Sequence, residues 1–274
     1  MTITEMRRLL TVNGIQLTKS LGQNFLHDGN QLRRIVAAAE LDTTDKVLEI
    51  GPGLGPLTEL LIAAAGEVLA IEMDARLVKL LQERLGNRLQ LHHADALVWL
   101  RDNPRDWSAW KLVSNLPYSV ASPLLVELAQ SRGCPERMVV TLQLEVARRL
   151  MARADDDDYG LLSLLVQLRY TPRELFKIPP ACFFPEPGVD SACVTLVRRE
   201  NELLPVEQHP TFARVVKLAF SQRRKMMMKL LKKEWPADKL AQAFSTTGLS
   251  PQARAEAVSA EQFAELTSAL LAHS

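Results

Sequence analysis

"KVLEIGPGLGPLTELL", residues 46–61, passes from a short apolar run into three alternating glycines and then into apolar residues at helical spacing. Gly51, Gly53 and Gly55 let the backbone turn sharply and let another group come close, and Pro56 suits the first turn of a helix. A strand that runs straight into a glycine turn and a helix is the opening unit of a doubly wound α/β sheet. The spacing is Gly-x-Gly-x-Gly, not the Gly-x-Gly-x-x-Gly of dinucleotide binders, and Pro52 removes one N–H from any phosphate cradle. Taken alone, the loop is also compatible with a tight structural turn.

The same alternation continues outward. "EVLAIE" (67–72), "RLQLHHAD" (88–95), "WKLVS" (110–114) and "RMVVTLQL" (137–144) read as strands, with helical stretches at 75–85, 122–131 and 145–152. Upstream, after a polar start, Asp28 is placed to cap a helix carrying Leu32, Ile35, Val36 and Ala39 on one face. Two more strand-like runs flank the proline-rich "PPACFFPEPGVDS" between 172 and 199, and past "ENELLPVEQHP" the pattern is wholly helical. The expected fold class is α/β: a Rossmann-like domain over 1–203 and a small all-helical domain over 204–274.

A chain of 274 residues with 47% hydrophobic content can bury two cores. Its net charge of +1 means that a polyanionic partner must be met by a local patch. Residues 211–233 hold eight Lys or Arg and no acid, with Phe212, Val216, Ala219 and Met226 at helical spacing, so that Arg223, Arg224 and Lys225 project as a phosphate-binding patch. Cys134, Cys182 and Cys193 are odd in number and unlike a metal site in spacing, which fits reduced thiols. No signal-peptide pattern opens the sequence, and no uncharged apolar run reaches the roughly 18 residues that span a bilayer. A cytoplasmic location without membrane attachment is expected. "ADDDD" (154–158) reads as a solvated loop tip, and His92 and His93 have no third ligand in register, so no metal is expected.

Polar residues collect where the strands end. Glu72 lies 21 residues after Gly51, where a carboxylate can accept from both hydroxyls of a ribose; Asp95 ends the next strand and can accept from an adenine amino group. Either acid can also simply cap the following helix. Acids at successive strand ends favour a nucleoside carrying positive charge, which S-adenosylmethionine satisfies better than NAD. Asn115-Leu116-Pro117-Tyr118 follows the fourth strand at the same edge.

"LGQNFL" (21–26), "EIGPGLG" (49–55), "IEMD" (71–74), "NLPY" (115–118), "FFPEPGVDSA" (183–192) and "FSQRRK" (220–225) occur in one order. Together they closely resemble the 16S rRNA adenine dimethyltransferases of the KsgA/RsmA type, over residues from about 17 to 232. The resemblance implies S-adenosylmethionine as methyl donor, met by Asn24, Leu26, Gly51, Gly53, Glu72, Asp95 and Asn115, with Gln23 also lining the site. It implies that the Asn115 oxygen and Leu116 carbonyl hold the hydrogens of adenine N6, that Pro117 fixes the turn, and that Tyr118 and Phe183 stack on the base, with Phe184 their neighbour. Gly188 stands where relatives usually carry Lys. The implied partner is 16S rRNA in the assembling small ribosomal subunit, at two adjacent adenosines in a hairpin loop near its 3′ end, and the expected state is a monomer. Three rivals stand beside it: a 23S rRNA methyltransferase conferring antibiotic resistance, a non-catalytic nucleic-acid-binding relative, and a small-molecule or protein amide methyltransferase, which would not need the basic stretch.

Overall fold

The computed structural model describes residues 1–17, 23–222 and 224–272. The apolar run Lys46–Ile50 forms β2, buried at every position but its first, with β3 (Glu67–Glu72) parallel to it on one side and β5 (Trp110–Asn115) parallel on the other. The sheet extends through β4 (Gln90–His93), parallel to β3, and β6 (Arg137–Gln143), parallel to β5. β9 (Ser191–Arg198) pairs antiparallel with β6, and β7 (Tyr170–Ile178) closes the order β4-β3-β2-β5-β6-β9-β7. Neighbours diverge on either side of β2, and such a switch point leaves a crevice beyond the carboxyl ends of the strands.

α3 (Pro56–Ala64), α4 (Ala75–Leu85) and α6 (Ala121–Gln130) cross between the parallel strands where the apolar spacing predicts helices, α2 (Gly29–Ala38) precedes β2 as expected, and α5 (Ala96–Asp102) is a further crossover that the sequence reading did not delimit. The Asp28 carboxylate caps α2 by accepting the N–H groups of Asn30 and Gln31. The polar start, unexpectedly, is also helical. In α1 (Ile3–Val12) Thr2 and Glu5 form a capping box, and Met6 and Leu10 bury against Phe25, Leu54, Leu77 and Leu80.

By its contacts the chain divides into two units, residues 1–147 with 172–198, and residues 148–171 with 199 onward. This differs from a cut at 203/204, because a stretch preceding β9 belongs with the helical unit. Tyr159, Leu164 and Leu168, the last two on or beside α8 (Leu161–Gln167), share a core with Phe212, Val216 and Phe263 of α9 (His209–Ala219) and α12 (Ala260–Ala272). α7 (Leu144–Met151), α10 (Met227–Leu231) and α11 (Ala237–Thr246) complete the helices.

The basic stretch 211–233 is not one helix. α9 ends at Ala219 and Met226 is the flanking residue of α10, so Met226 does not continue the apolar face of α9. Arg224 and Lys225 lie in the intervening turn and are exposed, while Arg223 lies outside the described residues. Among the described residues no helix is long and apolar enough to cross a membrane.

Candidate active site at the carboxyl edge of the sheet

Three chain segments meet where β2, β3 and β5 end, and the glycine loop is the surface they share. Gly51 (φ +69°) and Gly53 (φ +62°) occupy the left-handed region. A Cβ at Gly51 would lie 3.0 Å from the Pro117 ring and one at Gly53 2.7 Å from the Phe25 ring. The glycines are therefore required by protein neighbours, one on each side of the loop.

Glu72 ties this loop to β3: its Oε2 accepts the Gly53 N–H at 3.1 Å and its Oε1 the Asp74 N–H at 2.9 Å. Burial raises its pKa above the usual carboxylate value, against the opposing effect of those backbone bonds. Glu49, on the neighbouring strand β2 opposite Ala70, is 1% exposed with Oε2 unpartnered among the described residues. Burial, with the Glu72 charge adding to it, pushes its carboxyl up to about 8. Asp95 serves as the N-cap of α5, its Oδ1 accepting the N–H groups of Leu97 (2.9 Å) and Val98 (3.1 Å).

The segment after residue 23 is clasped at two strand ends. The Gln23 amide donates to Asp74 Oδ2 at 3.0 Å, and Arg76 binds the same carboxylate through Nε (2.9 Å) and Nη2 (2.6 Å). Those Arg76 bonds hold the Asp74 carboxyl down at about 2. At β5, Asn115 Nδ2 donates to the Asn24 carbonyl at 3.0 Å. Only the amide nitrogen can donate to a carbonyl, so this bond fixes which way the Asn115 amide points. Its Oδ1 is then buried without a partner among the described residues. A buried acceptor left unpaired costs roughly 1–3 kcal/mol, which a ligand donor would recover.

Tyr118 is half-buried, and its hydroxyl lies 2.5 Å from the hydroxyl of Ser191. Burial raises the phenol pKa above its ordinary value. The phenol therefore stays protonated at physiological pH.

Asn24, Gly51, Gly53, Glu72, Asp95 and all of Asn115–Tyr118 line one cavity of about 280 Å³, together with Gln23. Two expected residues do not. Leu26 and Phe183 are each 1% exposed and share a core cluster with Leu32 and Phe176. The reason is strand register. β1 (Phe25–Leu26) pairs antiparallel with β8 (Phe183–Phe184), Leu26 opposite Phe183 and Phe25 opposite Phe184. Successive residues of a strand face opposite sides, so Leu26 and Phe183 turn into the core together while Phe25 and Phe184 turn to the α1 side. Phe184 lies there beneath the Arg7 guanidinium, 5.3 Å from its ring centre.

The sequence reading missed Phe25, which lines the cavity, Met73, which lines it while 55% exposed, and Ser191. Met73 was legible in principle as the apolar residue following the strand-end acid. Ser191 was not, since only folding brings it to Tyr118.

The charge of the cavity discriminates among ligands. Among the described residues that line it are two carboxylates and no Lys, Arg or His. Such a wall rejects a pyrophosphate and suits a nucleoside with a cationic substituent. Among the described residues no group of three or more His, Cys, Asp and Glu is placed to hold a metal.

The family described as ribosomal RNA adenine dimethylase matches residues 14–271. The chain is 40% identical over 277 aligned residues to ribosomal RNA small subunit methyltransferase A of Streptococcus pneumoniae strain P1031, covering 96% of this chain and 95% of that protein. It is 38% identical over 274 aligned residues to the protein of the same name from Moorella thermoacetica, with the same coverage of 96% and 95%. Among solved structures, a dimethyladenosine transferase from Plasmodium falciparum superposes with a TM-score of 0.76 at 25% identity, covering 88% of this chain and 95% of that one. The 23S rRNA methyltransferase ErmE superposes with a TM-score of 0.69 at 29% identity, covering 90% and 99%.

Proposed function

The chain belongs to the ribosomal RNA adenine dimethylase family, and from that premise we propose that it methylates N6 of two adjacent adenosines in a hairpin loop near the 3′ end of 16S rRNA. It acts as an S-adenosylmethionine-dependent rRNA adenine-N6,N6-dimethyltransferase, on the assembling small subunit in the cytoplasm. The observation that carries this reading is the Asn115 amide: its nitrogen is committed to the Asn24 carbonyl and its buried oxygen is left to accept from a ligand.

S-Adenosylmethionine supplies an electrophilic methyl group on a sulfonium. Glu72 and Asp95 suit the ribose hydroxyls and the adenine amino group of that nucleoside, and the absence of basic side chains from the described lining suits its positive charge. Asn24, Gly51 and Gly53 complete the wall that would hold it.

Adenine N6 is a weak nucleophile because its lone pair is delocalised into the ring. Two fixed acceptors, Asn115 Oδ1 and the Leu116 carbonyl, draw its hydrogens into their own directions and turn the lone pair away from them. As the N–C bond forms and the S–C bond breaks, positive charge passes from sulfur to nitrogen, where those oriented dipoles stabilise it. The proton then leaves the methylated amine for solvent. Pro117 keeps the turn in place against Gly51. Tyr118 offers the base a face, a contact worth roughly 1–3 kcal/mol, and the base must be unpaired or flipped to reach it. The exposed Arg224 and Lys225, with Arg223 beside them in sequence, supply phosphate contacts in this reading.

One observation favours the 16S substrate over 23S rRNA: the curated relatives matched over nearly the whole chain are named small subunit methyltransferases. The test is incubation with radiolabelled S-adenosylmethionine and small subunits that lack adenine dimethylation. Label is expected as N6,N6-dimethyladenosine, falling by about 100-fold or more in Asn115→Ala. Label on protein-free 23S RNA but not on small subunits would reverse the choice of substrate.

A further inference from the structure

We propose that Ser191 is a positioning residue for methyl transfer: its buried hydroxyl tethers the Tyr118 ring at the cavity wall, so that the proline-rich segment 183–191 serves the base through a hydroxyl. This rests on the reading above, in which Tyr118 stacks on the adenine.

The two partners differ in how firmly the fold holds them. Ser191 is fully buried and opens β9, paired in antiparallel register with Gln143. One residue earlier, the Asp190 carbonyl accepts the Leu144 N–H at 2.9 Å, so the backbone is held on both sides of the hydroxyl. Tyr118 lies in the turn that follows β5, half-buried and among the residues that line the cavity. A tyrosine in a turn retains freedom about χ1 and χ2, and a stacking face is useful only if it waits in one place. The 2.5 Å contact between the hydroxyls fixes the far end of the ring to the first residue of β9.

The two aromatic rings of the segment do not take this part. Phe183 is sealed into the core, and Phe184 packs on the α1 side under Arg7. The hydroxyl pair also takes no proton from the reaction, since burial keeps the phenol protonated and the methylated amine loses its proton to water. Its consequence is therefore geometric: base capture should suffer and cofactor capture should not.

The test is a double-mutant cycle of Ser191→Ala and Tyr118→Phe in the full chain, assayed on under-methylated small subunits, with cofactor Kd measured in parallel. The tether is one hydrogen bond, so each single variant is expected to lower kcat/KM by about two- to tenfold. The double variant should fall no further than the worse single one, cofactor Kd should hold, and Ser191→Thr should restore the rate. A hairpin carrying 2-aminopurine at the target adenine should show weaker quenching with either single variant, as the stacked base loses its fixed partner. The proposal is overturned if the two effects multiply, if Ser191→Ala weakens cofactor binding equally, or if Ser191→Ala changes none of these. Failure of the functional reading looks different, because the wild-type chain itself would then form no dimethyladenosine.

Discussion

The segments 115–118 and 183–191 look alike in sequence, each joining an aromatic to a proline beside polar residues, yet the fold uses them in opposite ways. Asn115 is the last residue of β5, paired with Thr141, and from Pro117 the chain runs free of the sheet into the crevice; all four residues of Asn115-Leu-Pro-Tyr118 line the cavity. Phe183 and Phe184 are caught in a two-residue antiparallel pairing with Phe25 and Leu26, and the pleat alone decides which ring faces where. The ring expected to stack is the one that is swallowed. Residue type announces what a segment can do, and strand parity decides which of its residues does it.

The sharpest way to break this comparison is Phe183→Ala. A core phenylalanine cut to alanine costs about 3–5 kcal/mol, which in a domain of this size lowers Tm by about 10 °C. Assayed well below that Tm, kcat/KM on RNA should stay near the wild-type value. A stable variant with a collapsed kcat/KM would show that Phe183 stacks on the base after all.

Burial of the acid within β2 should also be measurable. The folded-state pKa of Glu49 is raised from 4.5 to about 8, so its stability contribution is complete below 4.5 and is lost as pH rises toward 8. Denaturant unfolding of the wild type should show stability falling across that window, by at most about 1.4 kcal/mol per pH unit. Glu49→Gln, which cannot ionise, should flatten the profile and be the more stable protein at pH 8. Equal slopes for the two proteins would remove Glu49 as the cause.

Tyr118→Ala complements Phe183→Ala from the other segment. Loss of one stacking face, at roughly 1–3 kcal/mol, should lower kcat/KM about 5- to 150-fold. Its Tm should move little, because the ring is only half-buried. A large loss of Tm with kcat/KM preserved would make the tyrosine a core residue and leave the base without its wall.

Much of this was legible beforehand, and what was not has a common cause. β2, β3 and α4 fall on the residues their apolar patterns indicate, because each pattern is local and long enough to be unambiguous. Glu72, Asp95 and Asn115 were legible because a strand followed by a helix fixes which end faces the crevice. α1 escaped because only Met6 and Leu10 mark its buried face. Residues 148–171 escaped because an amphipathic helix does not state which of two cores it joins. The orientation of Leu26 and Phe183 depends on a pairing across more than 150 residues, and the Tyr118–Ser191 contact on one across 73. Neither leaves a trace in local spacing.

The smallest expected effect comes from the loop between Phe184 and Ser191, where this chain carries Gly188 in place of the lysine usual in proteins it resembles. Gly188 is exposed, and a Cβ built on it meets nothing within 4 Å, nor is its φ in the region that disfavours side chains. Gly188→Lys should therefore fold as well as the wild type. A lysine there serves RNA through one additional phosphate, so affinity should rise at low salt and the log–log salt dependence should steepen by about one. The methyl-transfer rate at saturating RNA should not change, since the cavity residues are untouched. An unchanged salt slope would place this loop away from the RNA backbone and leave the second segment with its hydroxyl tether as its whole contribution to substrate.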